Sequence, residues 1–341
     1  MKQIVSPSLR VLFAGPGCTI QDTGRHGYLR YGITAAGPMD PFTQCFANRS
    51  LGNEDHHATI EVSAGGLDVT AVGDDLAIAL AGQGFEVTYA DQPIAMPARL
   101  RLSPGLTLSI RAGAAGAWCY LAVWGGLDVP PLLGSMATHT RSQMGGWHGR
   151  TLAKADILPV FKAAPADFEG GHVTGPACAA ITAPIRVLLG PQDDYFSAET
   201  IARFLATPWR LSARCDRMAY FLEGEPLSHA RGYNITSDGI AMGAIQVPGD
   251  GKPIVLMADR QSTGGYPKIA TVIGPDLGRL AQTRPGGEIR FQAVSHAEAL
   301  AARRDEQALL AAPYGLKPLQ RDVFPTAYVL RTSLVDGYIH D

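Results

Sequence analysis

Residues 254–268 read Ile254-Val255-Leu256-Met257-Ala258-Asp259-Arg260-Gln261-Ser262-Thr263-Gly264-Gly265-Tyr266-Pro267-Lys268. The first five form an apolar run of the kind found in strands covered on both faces, and the rest bring acid, guanidinium, amide and hydroxyl groups to one rim. Similar runs stand at Leu76-Ala77-Ile78-Ala79-Leu80 and Tyr120-Leu121-Ala122-Val123-Trp124. Leu106-Thr107-Leu108-Ser109-Ile110 instead alternates at period two, as a half-buried strand does. Glycine (39) and proline (24) punctuate the chain between such runs. The pattern predicts a mainly β protein with a few short helices, of barrel or sandwich type.

Three helices are expected. Asp40 is a good N-cap with Pro41 at the first helical position, where its missing N–H costs nothing. That helix should carry Phe42, Cys45 and Phe46 inward and stop at Gly52. A second runs from about Ser197 to Ala206, with Ile201, Phe204 and Leu205 on one side and Pro208 beyond its end. The third opens with Ser295 and Glu298, spaced as a capping box, and continues through Leu309.

A chain of 341 residues is long for one core, so two domains are expected. The boundary falls in Pro165 to Pro184, where Gly170-Gly171, Pro176 and an alanine-rich stretch interrupt the pattern. Across it, Arg10-Val11-Leu12-Phe13-Ala14-Gly15-Pro16 is echoed by Arg186-Val187-Leu188-Leu189-Gly190-Pro191, which suits two related halves. A 46% hydrophobic and 18% charged composition is globular, and a net charge of −2 without a basic run excludes a nucleic-acid partner. The five cysteines (18, 45, 119, 178 and 215) are odd in number and form no Cys-x-x-Cys pair, so free buried thiols in a reducing compartment are expected. Met1 to Pro7 lacks the apolar core of a signal peptide, and no stretch approaches the length of a membrane span. These features predict a cytoplasmic protein without a membrane partner.

The densest polar cluster is the rim after Ala258. Gly264-Gly265 permits positive φ and close backbone approach, and Arg260 could grip a carboxylate bidentately. In extended chain Asp259 and Arg260 point to opposite faces, so both line one cleft only if a bulge turns one of them. The alternative is structural, with both residues ion-paired to neighbouring strands and the glycines a turn. Gln21-Asp22-Thr23-Gly24-Arg25-His26-Gly27-Tyr28 is a smaller counterpart, whose plain reading is an Asp–Arg pair fixing a turn. Glu61, among the apolar neighbours Ile60 and Val62, reads first as a surface residue of an alternating strand. Its other reading is a proton carrier with a raised pKa. Arg141 and Gln143, in a hydroxyl-rich loop, Asp216-Arg217, between two strand-like runs, and His56-His57 are thinner candidates. No metal-ligand spacing and no Gly-x-Ser-x-Gly elbow occur, so no metal is expected. Gly249-Asp250-Gly251-Lys252-Pro253 lacks the spacing and hydroxyl of a P-loop, so the chain alone should not bind ATP.

At these residues the sequence resembles a known family. Gly15-Pro16-Gly17-Cys18-Thr19-Ile20-Gln21-Asp22-Thr23-Gly24-Arg25, Gly37-Pro38-Met39-Asp40, Gly125-Gly126-Leu127-Asp128-Val129-Pro130 and Gly190-Pro191-Gln192-Asp193 match its motifs in order. The most specific block is Pro253 to Ala270, and the resemblance runs from about residue 9 to 293. The family is that of the 5-oxoprolinase C subunit, also called KipA-like protein, allophanate hydrolase subunit 2 or biotin-dependent carboxyltransferase. The resemblance implies two cyclophilin-like β-barrels in tandem, at 1–165 and 185–312, the second with the C-terminal helix, and a tail at 313–341 of unassigned role.

It also implies partners: a KipI-like subunit and, in bacterial 5-oxoprolinase, a LamB/YcsF-like subunit, the complex opening 5-oxo-L-proline to L-glutamate with ATP. The chain alone would then be inactive or nearly so. One alternative is a carboxyltransferase subunit served by biotin on a separate carrier. Another is a KipA-like regulator that binds a KipI-like kinase inhibitor. No Ala-Met-Lys-Met-like biotinylation site occurs, which sets aside a complete carboxylase. The expected substrate is a small cyclic or planar amide. Its expected cleft is bordered by Asp259, Arg260, Gln261, Thr263, Gly264, Gly265, Tyr266 and Lys268, with Asp22, Arg25 and Glu61 from the other half. Arg260 or Lys268 would hold a carboxylate or polarise the amide carbonyl, and Asp259 or Glu61 would move a proton.

Overall fold

The strand Leu76–Gly82 shows why its sequence has no polar face. Leu76, Ile78 and Leu80 point into one core with Leu9, Val11, Leu67 and Val69. Ala79 and Ala81 face a second core, which holds Met39, Phe46 and Ala47. The small alanines let helix α1, Pro41–Ser50, lie close against the sheet. The neighbouring strand Trp118–Val123 divides likewise, with Cys119, Leu121 and Val123 in the first core and Trp118, Tyr120 and Ala122 in the second. Alternation is present but masked, because both faces are covered.

The computed structural model describes residues 6–175 and 183–319. Met1 to Val5, Cys178, the middle of the expected boundary and the tail from residue 320 lie outside them. The first half forms two antiparallel sheets. One runs Ile157–Pro159, Ser8–Ala14, Leu67–Val72, Leu108–Ala112, Phe85–Tyr89, Gln92–Ile94. The other runs Thr19–Gln21, Thr59–Ser63, Trp118–Val123, Leu76–Gly82, Ala98–Leu102, Gly171–Thr174, Gly315–Lys317, so part of the tail closes its edge. The first core lies between them.

The second half is an eight-stranded sheet that begins with Glu288–Ile289 and ends with Phe291–Ala293. Arg290 alone separates those two end strands in the chain, so the sheet has to curl until its ends nearly meet. The result is a nearly closed barrel, and the protein is mainly β as expected. The two echoing segments take equivalent places: Ser8–Ala14 and Ile185–Leu189 each lie one strand in from a sheet end.

The three expected helices form, the first and third with the caps expected of them. Asp40 accepts from the Thr43 N–H at 3.1 Å and Gly52 follows α1 at φ 76°. Ser197 caps α2, Ala198–Ala206, and accepts from the Thr200 N–H. A further helix, α3, Gly274–Ala281, was not expected, because Gly274, Pro275 and Gly278 read as turn residues. Ser295 and Glu298 close a capping box on α4, His296–Ala311. No described helix is long and apolar enough to cross a membrane. The second core joins the halves, since Phe46 and Tyr120 share it with Trp209, Tyr220 and Met257.

Candidate functional site between the two halves

Glu61 lies on Thr59–Ser63, flanked by Ile60 and Val62 of the first core, so its side chain points the other way. Surface was the first reading of it, and the structure corrects that: Glu61 is 0% exposed, because the second half covers this face. Its carboxylate accepts from the Met39 N–H and the Tyr120 hydroxyl, both at 2.7 Å, and from Nη1 of Arg217. Arg217 follows the strand Trp209–Cys215 and reaches back across the interface. Its Nε and Nη2 grip Asp259 at 2.9 and 2.8 Å, and Nη2 also donates to the Gly37 carbonyl at 2.7 Å. One guanidinium thus joins a carboxylate from each half.

Burial pushes the Glu61 carboxyl up, against the pull of Arg217, the Met39 N–H and Tyr120. Burial also works against the Arg217 charge, but Asp259 and Glu61 outweigh it and hold the guanidinium firmly protonated. Four of the five Arg217 N–H groups have these partners, which leaves one on Nη1. Arg217 and Asp259 line a cavity of about 690 Å³ between the halves, walled otherwise by Trp118, Tyr220, Arg141 and Arg284. A volume of this size suits a small organic ligand. Trp118 is fixed by its indole N–H on the Tyr220 hydroxyl at 3.2 Å, and Tyr220 donates to the Ala281 carbonyl at 2.8 Å.

The structure divides the cluster that the sequence grouped into one cleft. Asp259 turns toward Arg217 and the cavity. Arg260 turns away and donates from Nε to the Ile240 carbonyl at 2.9 Å. Burial lowers its pKa to about 10, with Asp259 opposing. It is therefore a buried fastener and does not grip a carboxylate here. Lys268 is 2% exposed and ion-paired with Asp238 at 3.0 Å. Gln261, Thr263 and Tyr266 are exposed, Gly264 and Gly265 are half-buried, and none of the five lines this cavity. Asp259 and Arg260 diverge because residues 258–259 form a turn, closed by the Arg260 N–H on the Met257 carbonyl at 3.3 Å, and not through the pleat of an extended strand.

Asp22 and Arg25 do not line the cavity either. Asp22 accepts from the Ser135 hydroxyl and the Met136 N–H, both at 2.6 Å. Arg25 donates to the carbonyls of Leu132 and Ala137 at 2.8 and 3.0 Å. Each fixes the loop at 132–137, and the expected Asp22–Arg25 pair does not form, since the two bond to that loop and not to each other. Arg217 was the residue most undervalued. The sequence marked it solely as a polar break between two strand-like runs, and nothing local connects it with Glu61, 156 positions away. Trp118, Tyr220 and Arg284 gave no signal at all.

The fold, mainly β with a nearly closed barrel, is shared with carboxyltransferase domains. The model of the carboxyltransferase domain, subdomain A and B, matches residues 31–293. The C subunit of 5-oxoprolinase from Escherichia coli is 38% identical over 299 residues, which cover 88% of this chain and 95% of that protein. Its counterpart in Haemophilus influenzae is 36% identical, over 86% of this chain and 93% of that one. The structure of Kluyveromyces lactis urea amidolyase superposes with a TM-score of 0.83 at 28% identity, over 90% of this chain. The chain spans 20% of that much longer protein. This chain belongs to the carboxyltransferase-domain family that contains the 5-oxoprolinase C subunit.

Proposed function

We propose that the chain is the C subunit of a multi-subunit, ATP-dependent 5-oxoprolinase that opens 5-oxo-L-proline to L-glutamate, and that the lactam sits in the cavity between the halves. Identity with two proteins of that name over nearly their full lengths supports the activity. The observation that carries the site is the Glu61–Arg217–Asp259 array, whose guanidinium keeps one N–H for a ligand at the cavity wall. That N–H would donate to the lactam carbonyl oxygen as negative charge grows there. Asp259 would exchange a proton at the ring nitrogen, and Glu61 would hold Arg217 charged and aimed.

In this reading the chain works with a KipI-like and a LamB/YcsF-like subunit, is nearly inactive alone, and leaves ATP to another subunit. The missing P-loop spacing at Gly249–Pro253 supports that division. Co-expression of the three chains, followed by an assay of ATP-dependent glutamate formation, is the test. We expect Arg217→Lys and Asp259→Asn to lose about 100-fold in kcat with folding retained. A complex without lactam-opening activity, or variants with wild-type turnover, would reject the reading.

The second reading is carboxyl transfer from biotin on a separate carrier, favoured by the match to urea amidolyase over 90% of the chain. It predicts consumption of carboxybiotin by the purified chain in the presence of urea, and no ATP-dependent glutamate formation.

A further inference from the structure

Three guanidinium groups (Arg141, Arg217 and Arg284) and two carboxylates (Asp216 and Asp259) line the cavity. Their pairing is uneven. Arg217 and Asp259 neutralise each other. Asp216 folds back to accept from the Met218 and Ala219 N–H groups at 2.7 and 3.1 Å. Arg284 reaches across to the carbonyls of Gly113 and Ala115 at 2.8 and 3.0 Å, tying the halves together. Arg141 is different. It is exposed, its sole hydrogen-bond partner among the described residues is the Met218 sulfur at 2.9 Å, and no described carboxylate pairs with it.

Its loop is built to hold it still. Arg141 sits in the turn Thr140–Ser142, clasped by reciprocal backbone bonds between His139 and Met144 at 2.8 and 3.1 Å. The approach to the turn is tied to Ile20 by the Thr138 N–H and hydroxyl, both at 2.9 Å. Asp22 and Arg25 secure the preceding residues 135–137. Gly145 leaves no room for a side chain, since a Cβ there would lie 2.1 Å from the Ala137 carbonyl oxygen. Four supports thus converge on one short turn that carries an unpaired guanidinium to the cavity. The backbone of the turn is fixed, and the guanidinium that it carries offers a fork of N–H donors that matches a carboxylate bidentately.

We propose that Arg141 is the residue that selects for a carboxylate on the substrate, so that this cavity takes a lactam bearing a carboxylate in preference to a neutral amide. Asp22 and Arg25 are then positioning residues for its loop. The assignment rests on the lactam-opening reading above and names what distinguishes its substrate from urea.

The test compares 5-oxo-L-proline with 2-pyrrolidone, the same ring without the carboxylate, in the complex reconstituted from all three chains. Wild type should strongly prefer 5-oxo-L-proline. Arg141→Gln should raise KM for 5-oxo-L-proline roughly 10- to 100-fold, with a smaller change in kcat, and bring the preference between the two lactams toward one. Arg141→Lys should recover part of that preference through its charge. A variant that keeps both KM and preference, or loses both substrates in equal proportion, overturns the assignment while leaving the lactam-opening reading intact. An active wild type without preference also overturns it. A wild-type complex inactive on both lactams defeats the reading itself, and the Arg141 assignment falls with it.

Discussion

Arg217 is held by two buried carboxylates at once, so its removal leaves both without a counter-charge. Arg217→Met should cost about 3–5 kcal/mol, read as a lowered urea midpoint with the slope unchanged. An unaltered midpoint would mean that the array is not the fastening between the halves. Glu61 allows a check of sign. A carboxyl whose pKa rises on folding binds its proton more tightly in the native state, so its contribution is fullest at low pH and is lost as pH rises through the raised value. Gln does not titrate. The melting temperature of Glu61→Gln minus that of wild type should therefore grow as the pH rises above the ordinary carboxyl range. A flat or falling difference would contradict the direction of the shift. The thiols give a third reading. Burial raises Cys18 to about 11 and Cys45 to about 12, so both should react with iodoacetamide at pH 8 at least about 100-fold more slowly than a free thiol. Peptide mapping of briefly alkylated native protein measures this. At this scale Asp259 was partly legible: the sequence marked it as a rim carboxylate with an ion pair as the alternative, and it lines the cavity while paired with Arg217. Arg217 was not, because its meaning lies in two residues far away in the chain.

The helices show what capping chemistry can and cannot reveal. Helices α1 and α4 were legible because Asp40 and Ser295 are side-chain caps read from type and spacing, and α2 because Ile201, Phe204 and Leu205 share one side before Pro208. Helix α3 has no side-chain cap and begins Gly274-Pro275, so its sequence carries the marks of a turn. Packing explains the glycine inside it: a Cβ on Gly278 would lie 2.2 Å from Oδ1 of Asp40. Asp40 caps α1 and also accepts from Gln282, just past α3, at 2.8 Å. The two elements meet through one carboxylate. Gly278→Ala should destabilise by about 1–3 kcal/mol although alanine is the better helix former, because overcrowding outweighs propensity. A stabilised variant, measured by chemical denaturation, would show that α1 can shift away freely.

For the whole molecule, the β-rich class was legible in the runs and their punctuation, whereas the union of the halves was not. Period-two reasoning assigns a strand two faces without saying what covers each. The second core holds residues of both halves in one contiguous cluster. Differential scanning calorimetry should accordingly show one cooperative transition, and two resolved peaks would mean that the halves unfold separately. The sheet ends carry a further consequence, one of solubility. The end strands of the six-stranded sheet each contain a proline, Pro159 and Pro93, which has no N–H to offer a neighbouring chain. The eight-stranded sheet all but consumes its own ends, joined through Arg290. Those two sheets therefore have little free ladder on which a stray strand could template an aggregate.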